Sequence, residues 1–480
     1  MSVTSDPWPV CVAGRWVETP TPLEVRNPYD GSPVGQTFLG GAEEFERAAD
    51  AAVRAAPTMA ALPAFERAAL LRRVAARLTA ERATFAATLA LEAGKPLRDA
   101  TAEVDRAALT FAVAADEALR IGGEYLPFDL APSGVGRFAV TRRVPVGPIA
   151  AIAPFNFPMN LAAHKLAPAI AAGNAIVLKP ATKTPLSALT LARLLDDAGA
   201  PKGAVSVLPL GRDVGDRLVT DPRFKLLTFT GSAAVGWDMK ARAGRKRVVL
   251  ELGGNAGVIV DRDADVDSTV TRLVAGGFTY AGQSCISVQR VYVHEAVFDD
   301  LASTLVKAVS ALTLGHPLDP SADLSSMIEP AEAQRVDAWV TSAVAAGARV
   351  LTGGIRVGDA GYLPTVLADV PADAKVCVEE AFAPLMVLFR FSDFADALEA
   401  VNASRYGLQA GVFTRTLEHA LLAFDRLEVG GVIVNDVPSF RIDHMPYGGV
   451  KDSGLGREGP RQAIDDMTER RLLVIARQAI

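Results

Sequence analysis

The sequence predicts an α/β protein built around two successive, largely parallel sheets. Three observations carry this. Short apolar runs of strand length alternate with helical stretches of about a dozen residues, a Gly253-Gly254 pair divides the series into two halves, and two segments, 121–145 and 465–480, fit neither half. Taken in order, residues 42–118 are rich in Ala, Leu, Glu and Arg. Their apolar positions, among them Leu70, Leu71, Val74, Leu78, Phe85 and Leu89, recur at helical spacing and predict several amphipathic helices. Strand candidates follow at Ile149–Ala153, Ala175–Leu178, Val205–Leu208, Leu226–Phe229 and Val248–Leu250. After the join near Gly253 a second series runs through Gly257–Val260, Gln289–Val293, Arg349–Leu351, Leu385–Phe389 and Gly431–Val434. The two outlying segments read as extended edge pieces, suited to pairing with a neighbouring subunit.

Composition narrows the function. Of 480 residues, 49 are Lys or Arg and 55 are Asp or Glu, for a net charge of −6. Half are hydrophobic and 22% charged, the balance of a globular chain. Without a basic run, nucleic acid and anionic membrane surfaces are not expected as partners. The start, MSVTSDPWPV, has no basic residue before Asp6 and no apolar stretch, so no secretory signal is expected. The uncharged run 144–163 is broken by Pro145, Pro148, Pro154 and Pro158 and is not expected to span a bilayer. Cys11, Cys285 and Cys377 are too scattered for a disulfide framework, which fits reduced thiols and a cytoplasmic location. The five histidines show no paired ligand spacing, so no metal is expected.

Five positions carry candidate chemistry. Phe229-Thr230-Gly231-Ser232 ends a strand candidate and opens a helix, where small residues let a helix N-terminus approach a phosphate. The turn is neither GxGxxG nor a Walker loop, and by itself also fits a glycine placed only for backbone freedom. Lys179, in Leu178-Lys179-Pro180-Ala181, sits at a strand's carboxyl end, where open α/β sheets bind ligands. Cys285 stands in a glycine-rich loop before a strand. A free thiol of pKa about 8.5 is only slightly ionised at neutral pH, so a nucleophilic Cys285 needs a base or local positive potential. Glu251 ends a strand beside the double-glycine turn, and Asn156, in Pro154-Phe155-Asn156-Phe157-Pro158, is held on a proline-stiffened loop. A carboxylate there suits a general base, and an amide donor there suits an oxyanion hole.

Seven motifs in order, PFNFP (154–158), LKPA (178–181), FTGS (229–232), ELGG (251–254), GQSC (282–285), EEAFAP (379–384) and PYGGVKDSGLGRE (446–458), resemble those of the aldehyde dehydrogenase superfamily over almost the whole chain. The resemblance implies an aldehyde dehydrogenase-like fold. Its Rossmann-type cofactor domain would cover 1–120 and 146–252, its α/β catalytic domain 253–464, and a small β oligomerisation flap 121–145 and 465–480, assembled as a homodimer or homotetramer. It implies oxidation of an aldehyde to the acid with NAD or NADP. Cys285 would be the nucleophile, Asn156 the oxyanion donor, Glu251 the base for thioester hydrolysis, and Lys165 a proton-relay member. Lys179, Ser232, Gly231, Gly253, Phe155, Glu380 and Phe382 would meet the cofactor. Thr182 stands where many NAD-preferring members carry a glutamate, so NADP is expected to be tolerated or preferred. Ala383 replaces a common glycine. Arg441 and Arg106 resemble positions where members acting on anionic aldehydes carry an arginine, implying a lactaldehyde, a semialdehyde or glyceraldehyde 3-phosphate as substrate. The other reading of Arg441 is an internal pair with Asp443 or another acid. The alternatives for the whole chain are a CoA-acylating dehydrogenase, in which Glu251 would usually be absent, or an inactive scaffold.

Overall fold

The computed structural model describes residues 7–476. Of the predicted C-terminal edge piece, residues 477–480 lie outside the described residues. The first sheet has eight strands in the order Arg15–Val17, Val10–Val12, Val205–Val207, Ile176–Lys179, Ile149–Ile152, Leu226–Thr230, Arg247–Glu251 and Gly454–Leu455. Its five central strands run parallel, and the pairings at both edges are antiparallel. Strand Ile149–Ile152 is buried along its whole length, as a sheet covered on both faces requires.

The alanine-rich region forms four helices, Ala42–Ala61, Ala64–Ala80, Arg82–Ala93 and Leu97–Ala118. Leu70, Leu71, Val74, Leu78, Leu89 and Phe111 are buried in their shared core, while Phe85 packs against it half-buried. Helix Asn160–Ala171 lies beneath them with every residue buried, including His164 and Lys165. Two ionisable side chains at the centre of a core must find partners, and those partners build the site.

The second sheet has seven strands, Arg349–Thr352, Thr365–Ala368, Leu385–Phe391, Val288–His294, Ala256–Val260, Gln409–Phe413 and Gly431–Val434, parallel except for the first pair. The predicted strands are all present, with ends shifted by a residue or two. Several were not foreseen. Gln409–Phe413 has Gln and Gly among its residues, which weakens its strand signal. Gly411 is nonetheless required, because a Cβ there would lie 2.8 Å from the Asp436 carbonyl oxygen of a crossing segment. Val10–Val12, Arg15–Val17, Thr365–Ala368 and Gly454–Leu455 are too short for a periodic pattern, and the last joins the first sheet from late in the chain.

The segments that fitted neither series meet each other. Thr468–Ala476 pairs antiparallel with Arg137–Pro145, which pairs with Tyr125–Pro127. Leu472, Leu473, Val474 and Ile475 on this three-stranded piece are exposed. Between the two large sheets the first contributes residues at strand carboxyl ends (Lys179, Thr230, Glu251) and the second residues just before strands (Gly253, Cys285, Phe382).

Candidate active site

A cavity of about 1070 Å³ runs between the sheets and is lined, among others, by Cys285, Asn156, Glu251, Lys179, Thr182, Gly231, Ser232, Gly253, Glu380, Phe382, Phe155, Arg106 and Arg441. Lys165 lies just behind this wall, joined to Thr230 and Glu458, which line it.

Cys285 is held by an unusual stretch of backbone. Tyr280 and Ala281 take positive φ angles of 50° and 51°, and Gly282 follows at 68°. A Cβ on Gly282 would stand 2.0 Å from the Ala383 carbonyl oxygen, so only glycine fits there. The half-buried Cys285 Sγ lies 3.0 Å from the Tyr447 Oη. Burial pushes its thiol up to about 12, with the Tyr447 hydrogen bond pulling the other way. Burial therefore favours the thiol form, and a nucleophilic role for Cys285 would require its proton to be removed.

The Asn156 loop is anchored from below. The Asn156 carbonyl accepts from Lys95 Nζ at 2.7 Å, and its Nδ2 donates to the Gln283 carbonyl at 3.0 Å. Lys95 is fully buried, hydrogen-bonded to Glu103, with its ammonium 3.9 Å from the centre of the Phe157 ring. Glu103 Oε1 in turn accepts from the Met159 and Asn160 N–H groups at 2.9 and 3.1 Å, at the start of helix Asn160–Ala171. The amide is thus tied by one side to the nucleophile loop and by the other to a buried ion pair.

Glu251 is buried, and neither carboxylate oxygen has a hydrogen-bond partner. Burial, then the nearby charge of Glu458, holds its carboxyl well above the usual carboxylate range. Lys165 Nζ donates to Thr230 Oγ1 at 2.8 Å and Thr228 Oγ1 at 3.1 Å, and lies 3.5 Å from Glu458 Oε1. Burial lowers the Lys165 ammonium, opposed by Glu458 and then Glu251.

Arg441 and Arg106 both have acidic partners. Arg441 Nη2 donates to Glu458 Oε2 at 3.0 Å, its guanidinium lies 3.7 Å from the centre of the Tyr447 ring, and its Nε is 4.0 Å from Asp443 Oδ1 without a hydrogen bond. Arg106 grips Asp443 with two bonds of 3.0 and 2.9 Å. Asp443 also accepts from Asn160 Nδ2 at 3.0 Å and lies 2.8 Å from His164 Nε2. Burial works against the Asp443 charge, yet the His164 and Arg106 contacts hold its carboxyl far below the usual range. The internal pairing expected for Arg441 is present, with Glu458 as the closer partner, while the guanidinium still lines the cavity.

The far end is sparser. Lys179 Nζ has one long contact, 3.5 Å to the Pro180 carbonyl, and burial lowers its ammonium. Ser232 precedes helix Ala233–Arg242 and makes no side-chain cap, leaving the first-turn N–H groups to an anion or solvent. The Gly254 N–H donates to Glu380 Oε1 at 3.0 Å, and a Cβ on Gly253 would strike that carboxylate at 2.2 Å. Burial pushes the Glu380 carboxyl up to about 7. Phe155 and Phe382 meet edge to face at 5.9 Å, Phe382 with φ of 48°.

The sequence profile of the aldehyde dehydrogenase family matches residues 16–473. The chain belongs to the aldehyde dehydrogenase family. It is 43% identical over 465 residues to a 3-sulfolactaldehyde dehydrogenase of Priestia megaterium, with 97% of each chain covered. It resembles the crystal structure of aldehyde dehydrogenase 21 from Physcomitrella patens in complex with the reaction product succinate. That match is 47% identical with a TM-score of 0.97 over 99% of each chain. A glyceraldehyde-3-phosphate dehydrogenase from Methanocaldococcus jannaschii, complexed with NADP, is 37% identical with a TM-score of 0.91, covering 95% of this chain and 99% of that one. The chain is an NAD(P)-dependent aldehyde oxidoreductase. Among its described residues no helix is long and apolar enough to cross a membrane.

A dinucleotide fits the aldehyde dehydrogenase cavity: a free helix N-terminus at Ser232, a lysine with no strong internal partner at Lys179, and a carboxylate at Glu380 line one continuous space. Sequence reasoning named Asp443 only as a possible partner of Arg441, and missed Tyr447, Glu458, His164 and the Lys95–Glu103 pair. Tyr447 and Glu458 lay inside the PYGGVKDSGLGRE motif already singled out. Lys95 and Glu103 are eight residues apart and carry no spacing rule that marks a buried pair.

Proposed function

We propose that this chain oxidises a short, anionic aldehyde to its carboxylic acid through a thiohemiacetal and a thioester on Cys285. The observation that carries this reading is the convergence of Cys285, Asn156 and Glu251 on one cavity. The Cys285 sulfur bonds to the aldehyde carbon as its proton passes, through water in the cavity, to the ionised form of Glu251, and the carbonyl oxygen becomes an oxyanion. Asn156 Nδ2, now satisfied by Gln283, turns or shares its hydrogen bond with that oxygen. The dinucleotide, when bound, supplies the acceptor for the hydride that leaves this carbon. Glu251 then takes a proton from a water that attacks the thioester carbon, and the C–S bond breaks to release acid and thiol. A carboxylate with no partner of its own and a raised proton affinity suits that task. Lys165 and Glu458, joined through Thr230, give the proton an onward path.

The anionic substrate is supported by Arg441 and Arg106 at the cavity wall and by the names of the relatives. Thr182 in place of a glutamate favours NADP alongside NAD. Residues 1–120 and 146–252 then act as the cofactor domain and 253–464 as the catalytic domain. Segments 121–145 and 465–480, whose described residues form a small sheet with an exposed apolar strand, serve a homodimer or homotetramer in the cytoplasm. The test is a reduced-cofactor assay at 340 nm across neutral and anionic aldehydes with each cofactor. Anionic aldehydes turning over best with acid as product is the expected result. Acyl-CoA as product, or no turnover of any aldehyde, overturns the reading.

A further inference from the structure

The hydroxyl of Tyr447 is buried and, among the described residues, has one hydrogen-bonding neighbour, the Cys285 sulfur at 3.0 Å. The ring around it needs no hydroxyl to pack. It lies with Ile286 and Leu408 in a small apolar cluster beside Cys285, and the Arg441 guanidinium covers its face at 3.7 Å. A phenylalanine would fill the same space, and a buried hydroxyl costs free energy unless a partner satisfies it. The oxygen therefore answers to the sulfur.

The contact is held from both sides. Tyr447 and Glu458 exchange backbone hydrogen bonds of 3.0 and 2.6 Å, and the Glu458 carboxylate also holds Arg441 in place over the ring. Opposite, a Cβ on Gly254 would stand 2.6 Å from the Cys285 carbonyl oxygen, so close backbone packing fixes the loop that carries the thiol. A thiol and a hydroxyl can share a hydrogen bond in either direction, but a thiolate has no proton and can only accept. Whenever Cys285 is charged, Tyr447 must be the donor. Burial, then the Cys285 charge, holds the Tyr447 phenol well above its ordinary value, so it keeps its own proton.

We propose that the Tyr447 hydroxyl is a catalytic hydrogen-bond donor to the Cys285 sulfur, holding negative charge on that atom as its proton leaves and again as the thioester C–S bond breaks. No proton passes to or from Tyr447. In the first step the sulfur's electron pair forms the C–S bond and the charge moves to the oxyanion. In the last, the electron pair of the broken C–S bond returns to sulfur, where the hydroxyl meets it until the proton that Glu251 took from water is passed back. This rests on the reading of Cys285 as the nucleophile, and it adds a group that touches the reacting atom.

The experiment reads Cys285 directly in Tyr447→Phe, which loses one oxygen and keeps the ring. The charged and titratable groups facing the sulfur are Tyr447, Glu380, Arg441 and Glu251, and the substitution changes only the first. The rate of iodoacetamide reaction at Cys285 is followed by peptide mass spectrometry from pH 6.5 to 9 in wild type and variant, with Cys285→Ala marking reaction elsewhere. Below the thiol's pKa this rate follows the thiolate fraction. Loss of a charge-assisted hydrogen bond should raise that pKa by about one unit, a fraction about tenfold smaller, of which the greater nucleophilicity of the more basic thiolate restores about threefold. The rate should therefore fall by about threefold or more at every pH. Removing an atom opens the site to the reagent, so a hydroxyl with only a structural role predicts an unchanged or faster reaction, and either result overturns the proposal. The second arm is kcat/KM for 4-oxobutanoate and propanal at pH 7.5, expected to fall by about threefold or more while the Kd for NADP stays within about twofold. An unchanged kcat/KM, or a Kd that weakens as far as kcat/KM falls, overturns the catalytic role alone. Wild type oxidising neither aldehyde, or Cys285→Ala oxidising them as fast as wild type, overturns the nucleophile reading and this inference with it.

Discussion

At the end of the cavity proposed to react, the charged side chains around Cys285 are committed to one another, whereas Lys179, Ser232 and Glu380, proposed to meet the dinucleotide, are held by little. Arg106, Arg441, Asp443, Glu458, Lys165 and Lys95 are linked in hydrogen-bonded pairs and chains drawn from four separate stretches of sequence. Lys179 and Ser232 make one long contact and none respectively, and Glu380 is bonded only to the Gly254 N–H. The difference reflects what each end must do. Stabilising a charge that develops during reaction requires dipoles and charges already in place, so the protein fixes them during folding. A dinucleotide brings its own charge, so its end can leave donors to be satisfied by the ligand. Glu251 is the exception at the reacting end, a buried carboxyl with no partner.

Changes at the reacting end should act on turnover, and changes at the other end on cofactor KM. The largest effect is expected for Cys285→Ala: steady-state turnover falls by about 10⁴-fold or more, while the Kd for NADP, read by fluorescence titration, stays within about twofold. A Kd that collapses with the rate would show that the two ends are not separable. Next comes Glu251→Gln, with steady state slower by about 10²–10⁴-fold. Acylation survives in part, so rapid mixing should record a stoichiometric burst of reduced cofactor ahead of the slow phase. The same residue sets a pH dependence. Its carboxyl is held high, so the base form grows as pH rises, and wild-type kcat should climb with pH above the usual carboxylate range on a limb absent from Glu251→Gln.

Smaller effects belong to the dinucleotide end. Gly253→Ala puts a Cβ against the Glu380 carboxylate, 2.2 Å away, and should raise cofactor KM by about tenfold with kcat little changed. Least of all, Thr182→Glu should raise the KM for NADP by several-fold and leave that for NAD within about twofold, because a carboxylate repels a 2′-phosphate. Equal shifts for both cofactors would remove Thr182 from cofactor discrimination.

Much of the scaffold was legible in advance. Strands such as Ile149–Ile152 and Leu385–Phe391 announce themselves as continuous apolar runs between helical stretches, because a strand covered on both faces has no polar side to hide. Cys285, Glu251 and Asn156 were visible as chemical residues at glycine- and proline-marked turns, and the cavity gathers all three. Gln409–Phe413 was not, since its glycine answers to a crossing chain at Asp436 rather than to strand propensity.

By itself, then, the sequence determined the alternation of strand and helix, the turn chemistry at each strand end, and the residue types able to react. Tertiary structure alone decided which charges meet. Arg106 and Asp443 are 337 positions apart, and His164 and Asp443 are 279 apart. Hydrophobic periodicity places a helix on a core but says nothing of which buried ion faces which. That choice is made when helices Leu97–Ala118 and Asn160–Ala171 close on a distant loop, and desolvation requires each buried charge to find a partner in the neighbour it meets.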